Sequence, residues 1–249
     1  MIKRGASMVL EKLTNEFVSR LRQAAGENLR SVIVYGSAAD GEFRPEFSDV
    51  NLLCILRDMS FATIGKVAPA VEWWRRQKQP PPLLLTGEEL ERSADVFAIE
   101  MLDMQRQHRV LFGDDVLSGL HIPMQLHRAQ VEYELREKLI LLRENLLDAA
   151  GHKERLWALL LGSVSAFVTL FRHALIALGG TAPDSKREAV QAIAACIQFD
   201  PSAFLQVLDV RERKLERKRL DVGGVFARYL EAVQQVTTAV DTMFAAKQP

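Results

Sequence analysis

Residues 32–56 read VIVYGSAADGEFRPEFSDVNLLCIL, and this stretch indicates two neighbouring strands of one sheet. A β-branched run over residues 31–35 stops at Gly36, where a polar loop containing glycine and proline begins. The nearly continuous apolar residues from 49 to 57 predict a second strand buried in the same core. The stretch therefore predicts a strand–loop–strand unit with Gly36 at its first corner.

Helices and further strands are predicted on either side of this unit. Apolar residues at steps of three and four predict helices over residues 7–26 and 61–77. Thr86 and the glutamate three positions later have capping-box spacing, so a short helix should begin there, after a short strand at 83–85. The alternation in DVFAIEMLDM, residues 95–104, predicts a third core strand. The first half is thus expected to be a mixed sheet with flanking helices.

The second half is expected to be entirely helical. From Gln125 onward every long segment has helical periodicity, and none alternates as a strand does. Glycine and proline separate the predicted helices, which span residues 124–149, 153–179, 183–198, 201–218 and 223–246. We therefore predict an α+β fold with two domains, a mixed sheet over residues 1–120 and an antiparallel helical bundle over residues 121–249.

Composition and charge exclude several classes of protein. The chain has 249 residues, 48% of them hydrophobic, which is enough to bury a core, so disorder is not expected. Because 32 basic and 32 acidic residues cancel, no overall field attracts nucleic acid or anionic lipid, and any polyanion must bind at a local site. Two cysteines suit a reducing compartment, and the N-terminus lacks the features of a secretion signal, so we expect a cytoplasmic protein.

The most apolar segment, residues 156–171, is a candidate membrane span. Its helical length is about 24 Å, short of a hydrocarbon core of about 30 Å. Charged residues bound it on both sides. We interpret it as the central helix of the bundle, and we expect no membrane partner.

The residues at the corner and on the second strand resemble the signature of the nucleotidyltransferase superfamily related to polymerase beta. In that family an apolar strand leads into Gly-Ser, and an Asp-x-Asp pair follows on the next strand. Gly36, Ser37 and Asp49 match this signature, whereas Asn51 stands where the second aspartate would be. The resemblance implies a bound nucleoside triphosphate and magnesium, with Gly36, Ser37 and the adjoining Ser48 as nucleotide-binding residues.

Elementary chemistry supports the same assignment. A glycine after a buried strand lets backbone N–H groups and the Ser37 hydroxyl approach a phosphate. Side chains two apart on a strand project from one face, so Asp49 and Asn51 can both reach a magnesium ion. A carboxamide offers one neutral oxygen where a carboxylate offers two charged ones, so we expect Asn51 to impair turnover more than nucleotide binding.

A third acidic residue, from a later strand, is implied by the resemblance as metal ligand or as base for the acceptor hydroxyl. Glu100 is our candidate, because a lone carboxylate in the apolar run from 95 to 104 would be costly to bury without a metal or a partner. Asp95 and Asp103, nearer the ends of that run, are the alternatives. The predicted catalytic residues are thus Asp49 and Glu100, and Asn51 joins them as a metal ligand.

Two other features are interpreted as structural. Residues 211–219 (RERKLERKR) hold six basic and two acidic side chains, which could contact phosphate but is more typical of a solvated helix end. The Trp73-Trp74 pair could stack a base, but on an amphipathic helix it is more typical of packing.

Three functions remain open from the sequence. The first is magnesium-dependent transfer of a nucleoside monophosphate from a nucleoside triphosphate to a hydroxyl on an unidentified small-molecule or macromolecular acceptor. The second is a nucleotide-binding or regulatory protein that has lost turnover through Asn51. The third is an interaction module, forming a homodimer through its helical half.

Overall fold

The computed structural model describes residues 2–39 and 49–245, and the chain divides into two compact units after Met124. The sequence placed the boundary at residue 120. The fold class is α+β, as predicted, with a mixed sheet in the first unit and helices in the second.

The first unit is built on a four-stranded sheet in the order β3-β2-β1-β4. β1 runs antiparallel to both β2 and β4, while β2 and β3 are parallel. The elements follow along the chain as α1 (Ile2–Ala25), β1 (Leu29–Tyr35), β2 (Asn51–Leu56), α2 (Phe61–Arg76), β3 (Leu83–Thr86), α3 (Gly87–Ser93), α4 (Ala98–Arg106) and β4 (His108–Gly113). The predicted capping box at the start of α3 is present, with Thr86 and Glu89 each accepting a backbone hydrogen bond from the other.

The alternation of side chains along β1 and β2 gives the sheet two buried faces. Phe17 of α1 and Trp74 of α2 pack with Val32, Leu52 and other residues of the same parity on one face. Strand residues of the opposite parity, such as Ile33 and Leu53, pack on the other face against Leu90 of α3 and Met101 of α4. Because both faces are covered, the strands are apolar at nearly every position.

The predicted third strand over residues 95–104 is wrong, because most of this segment forms α4. Ala98, Met101 and Met104 recur at steps of three and are buried on one side of that helix. The segment is also rich in residues that favour helices. The sheet instead receives its last strand from β4, which the sequence analysis did not predict.

The second unit contains helices throughout its described residues. They are α5 (His127–Ala149), α6 (Lys153–Ala177), α7 (Lys186–Ile197), α8 (Ser202–Arg211) and α9 (Val222–Ala245). α6 contacts each of the other four. Phe204 and Tyr229 stack at the centre of this unit with ring centroids 4.1 Å apart, and Phe171 lies against Phe204 at 4.7 Å.

α6 is long and apolar enough to cross a membrane by length and composition alone. In the structure 61% of its most apolar window is buried within the protein. The buried side chains include Leu160, Val164 and Phe167. Its place among the other helices matches the prediction of a central helix in the bundle.

The predicted helix over residues 201–218 is too long, because α8 ends at Arg211. Arg213 adopts a left-handed backbone with a φ of 59°, and the N–H of Lys214 turns back to the carbonyl of Asp209 at 2.8 Å. Such a turn closes a helix. The basic segment that follows is therefore a loop with a short 3-10 turn (Arg217–Arg219) rather than a helix end, and Glu212 and Glu216 form ion pairs with its lysines.

Candidate nucleotide-binding site

The corner after β1 is built on Gly36. Its φ of +70° lies in the left-handed region that favours glycine, and a 3-10 turn (Gly36–Ala38) begins there. The Gly36 N–H donates to the carbonyl of Gln107 at 2.9 Å, which ties the corner to the residue between α4 and β4. Because this N–H is already bonded, phosphate binding at the corner must come from the groups after it, beginning with Ser37.

Asn51 lies directly beside this corner. It begins β2 and pairs in register with Tyr35, the last residue of β1. A Cβ placed on Gly36 would lie 3.8 Å from the Asn51 Nδ2 atom. Asn51 is half-buried, and among the described residues its carboxamide makes no hydrogen bond to another protein group. The structure thus brings Asn51 and the Gly36-Ser37 turn together.

Asp49 is exposed and lies two residues before Asn51, just outside β2. Ser48, the third predicted nucleotide-binding residue, lies outside the described residues.

Glu100 lies at the same end of the sheet, although on a helix rather than the predicted strand. It is half-buried in the first turn of α4. Burial, and next the negative charge of Glu100, raise the pKa of the Tyr35 phenol. Tyr35 immediately precedes Gly36, so Glu100 lies within electrostatic range of the residue before the corner. Of the two alternatives, Asp103 lies 3.8 Å from Arg106 on the same helix, and Asp95 lies in the turn before it.

The resemblance implies magnesium at this site, so the described residues are expected to offer ligands for it. No group of three or more His, Cys, Asp or Glu side chains within residues 2–39 and 49–245 is arranged to hold a metal ion. β3, the parallel neighbour of β2, reads Leu-Leu-Leu-Thr and supplies no carboxylate. The donors in the described part of the chain would therefore suit one magnesium ion held by Asp49 together with nucleotide phosphates, rather than two ions held by protein carboxylates.

A residue that sequence reasoning missed holds the segment that carries Asp49 and Asn51. The Gln79 side chain accepts a hydrogen bond from the Val50 N–H at 3.0 Å. Its loop is held in turn by Trp74, whose indole N–H donates to the carbonyl of Pro80 at 2.9 Å. Trp74 is fully buried, as the packing interpretation predicted. No local pattern marks Gln79, because its contact spans 29 residues of chain.

A second missed feature is a histidine–carboxylate pair beside Tyr35. His108 begins β4 and pairs in register with Tyr35, and its Nε2 atom lies 3.1 Å from Asp115 Oδ1. Hydrogen bonds from the Ser118 hydroxyl and N–H, and from His108, hold the pKa of Asp115 well below its usual range. The pair was missed because the strand that begins at His108 was not predicted.

Comparison with known proteins agrees with this geometry. The family model described as nucleotidyltransferase domain matches residues 14–106. The fold is similar to that in the crystal structure of spectinomycin adenyltransferase AAD(9) from Enterococcus faecialis with ATP and spectinomycin, at a TM-score of 0.58 and 14% identity, covering 92% of this chain and 98% of that one. No curated protein matches the chain. Residues 14–106 therefore form a nucleotidyltransferase domain.

Proposed function

We propose that the protein transfers a nucleoside monophosphate from a nucleoside triphosphate to a hydroxyl group of an acceptor. The observation that carries this proposal is the position of Asn51 beside the Gly36-Ser37 turn within the matched domain. The charge of Glu100, which acts on Tyr35 at the end of β1, supports it. The similar fold of AAD(9), whose structure holds ATP and spectinomycin, supports a nucleotide donor and a small-molecule acceptor.

The residues have separate roles in this reaction. The Ser37 hydroxyl and the adjoining backbone bind phosphate. Asp49, with the phosphates, would hold the magnesium ion, which supplies positive charge to the transferring phosphate. Glu100 accepts the proton of the acceptor hydroxyl as its oxygen attacks the α-phosphorus and the bond to pyrophosphate breaks.

A second candidate function is nucleotide binding without turnover. It is favoured by one specific observation, the absence of a second and third carboxylate on β2 and β3. On this hypothesis the protein keeps the domain as a sensor of nucleotide, and Glu100 has no chemical role.

The test measures pyrophosphate release by the full chain with ATP, GTP, CTP and UTP, magnesium, and a panel of hydroxyl acceptors that includes spectinomycin. We expect release with at least one pair, and a loss of about 100-fold or more in Glu100→Gln, since general bases contribute that much. Glu88→Gln is the matched control, because Glu88 is an exposed residue of α3 that pairs with Arg92. Binding without release would favour the second candidate, and no binding of any nucleotide would contradict both.

A further inference from the structure

The Asn51 side chain is a polar group that lies beside the Gly36-Ser37 turn. It is half-buried at the edge of the Gly36 corner, and its amide forms no hydrogen bond within the described residues. An amide that forms no bond within the protein can bond to a ligand without breaking a protein contact. Its position at the end of the sheet therefore suits a bound ligand.

The atom of Asn51 nearest the corner is its nitrogen. Nδ2 lies 3.8 Å from the Cβ position of Gly36, so the N–H groups rather than the carbonyl oxygen lie beside the turn that carries Ser37. An amide nitrogen donates hydrogen bonds and does not ligate cations. In this orientation the group next to the turn suits an anionic oxygen.

The charge at this end of the sheet points the same way. With an asparagine at position 51, the negative groups of the candidate site within the described part of the chain are Asp49 and Glu100. A second carboxylate on the same face as Asp49 would repel a polyphosphate unless metal ions lay between them. β3 supplies none, since its residues are leucines and Thr86. An amide in place of that carboxylate removes this repulsion of the polyphosphate.

We propose that Asn51 donates a hydrogen bond to a phosphate oxygen of the nucleotide, so that the site binds nucleoside triphosphates in the absence of magnesium. This inference rests on the proposed function, because it assigns the same pocket to the same donor. Magnesium then enters through Asp49 and the phosphates, and serves turnover more than affinity.

The test is calorimetry of the full chain with ATP, once in EDTA and once in magnesium. The wild-type affinities in the two conditions should differ by less than about tenfold. Asn51→Asp should weaken binding in EDTA by about tenfold or more, the effect of losing a hydrogen bond to a charged group, and should regain affinity in magnesium. Asn145→Asp is the matched control, since it makes the same change of charge at an exposed position of α5 and should alter neither value.

A second variant separates the hydrogen bond from charge and from folding. Asn51→Ala removes the donor without adding a carboxylate, so it should weaken binding about equally in EDTA and in magnesium. Melting temperatures would show whether each variant is folded. The inference is overturned if wild-type protein binds ATP only with magnesium, or if both folded variants bind in EDTA as tightly as wild type. If wild-type protein binds no nucleotide in either condition, the proposed function fails as well.

Discussion

Polar side chains are used differently in the core of the helical unit and at the site end of the sheet. In the helical unit, Ser163 and Tyr229 share a hydrogen bond of 3.0 Å, and His127 and His173 share one of 2.9 Å. At the end of the sheet, Asn51 lies half-buried, and its side chain has no hydrogen-bond partner among residues 2–39 and 49–245. Polar groups that bond to one another contribute to folding, whereas groups left for a ligand contribute to binding. Substitutions in the first set should change stability, and substitutions in the second should change affinity or rate.

The largest effect is expected from removing an aromatic ring in the helical core. Phe204 is fully buried between Tyr229 and Phe171, so Phe204→Ala should lower the free energy of unfolding by about 4 kcal/mol. Urea denaturation followed by circular dichroism measures it. Leu147→Ala, at a position that is 81% exposed, is the control and should change stability little. A loss below about 1 kcal/mol for Phe204→Ala would mean that this core is loosely packed.

The second effect concerns the site and should leave folding intact. Asp49→Asn removes the exposed carboxylate proposed to hold magnesium, so pyrophosphate release should fall by about 100-fold. The melting temperature should stay constant. Asp148→Asn, an exposed change of the same kind on α5, should retain full activity. If Asp49→Asn unfolded the protein, the claim that site residues contribute to activity rather than to stability would be wrong.

The third effect is a dependence of stability on pH in the helical unit. Burial, and next the neighbouring His173, lower the pKa of His127 from 6.5 to about 4. Unfolded protein therefore binds more protons than folded protein between these values. The stability is complete above pH 6.5 and declines as the pH falls toward about 4, by about 3 kcal/mol in all. Urea denaturation at pH 7.5 and at pH 4.5 measures the difference.

Replacing the histidine tests the cause of that decline. His127→Gln should flatten the pH dependence, because glutamine does not titrate in this range. His152→Gln, at an exposed position, should keep it. An equal decline in wild type and His127→Gln would assign the acid sensitivity to other groups.

The smallest effect is expected at Gln79, which holds the segment that carries Asp49 and Asn51. Gln79→Ala removes the acceptor of the Val50 N–H, so ATP affinity should fall about fivefold, the worth of one hydrogen bond. Gln191→Ala, the same change at an exposed position of α7, is the control and should bind ATP as wild type does. Calorimetry measures both. A larger loss of stability than of affinity in Gln79→Ala would place Gln79 with the residues that serve folding.

Local patterns in the sequence were sufficient for the first two strands and the corner between them. β1 and β2 are apolar at almost every position, and the glycine that ends the run adopts the backbone that only glycine adopts easily. The helices were found for the same reason, since their apolar stripes recur within a single element. The end of α8 was missed, because it depends on the left-handed turn at Arg213.

Contacts between distant segments were not predictable in the same way. DVFAIEMLDM alternates as a strand does and also places Ala98 and Met101 on one side of a helix, so periodicity alone could not decide. What decides is the pairing of β4 with β1, which removes the need for a strand earlier in the chain. The predicted element of Glu100 was therefore wrong, while its role in the site stays a prediction. Gln79 was missed because no pattern in the neighbouring sequence predicts its contact with Val50, which lies 29 residues away.

The hydrogen bond from the Gly36 N–H to the Gln107 carbonyl fixes the C-terminal end of the segment that carries Glu100. The position of Glu100 relative to the corner then depends on the number of residues between Glu100 and Gln107. Since each residue turns an α-helix by about 100°, one residue inserted into α4 after Glu100 would swing that carboxylate to another side of the helix. The corner itself would still be fastened to its acceptor. Length variation is thus expected to be excluded from this short segment far more strictly than changes of side chain.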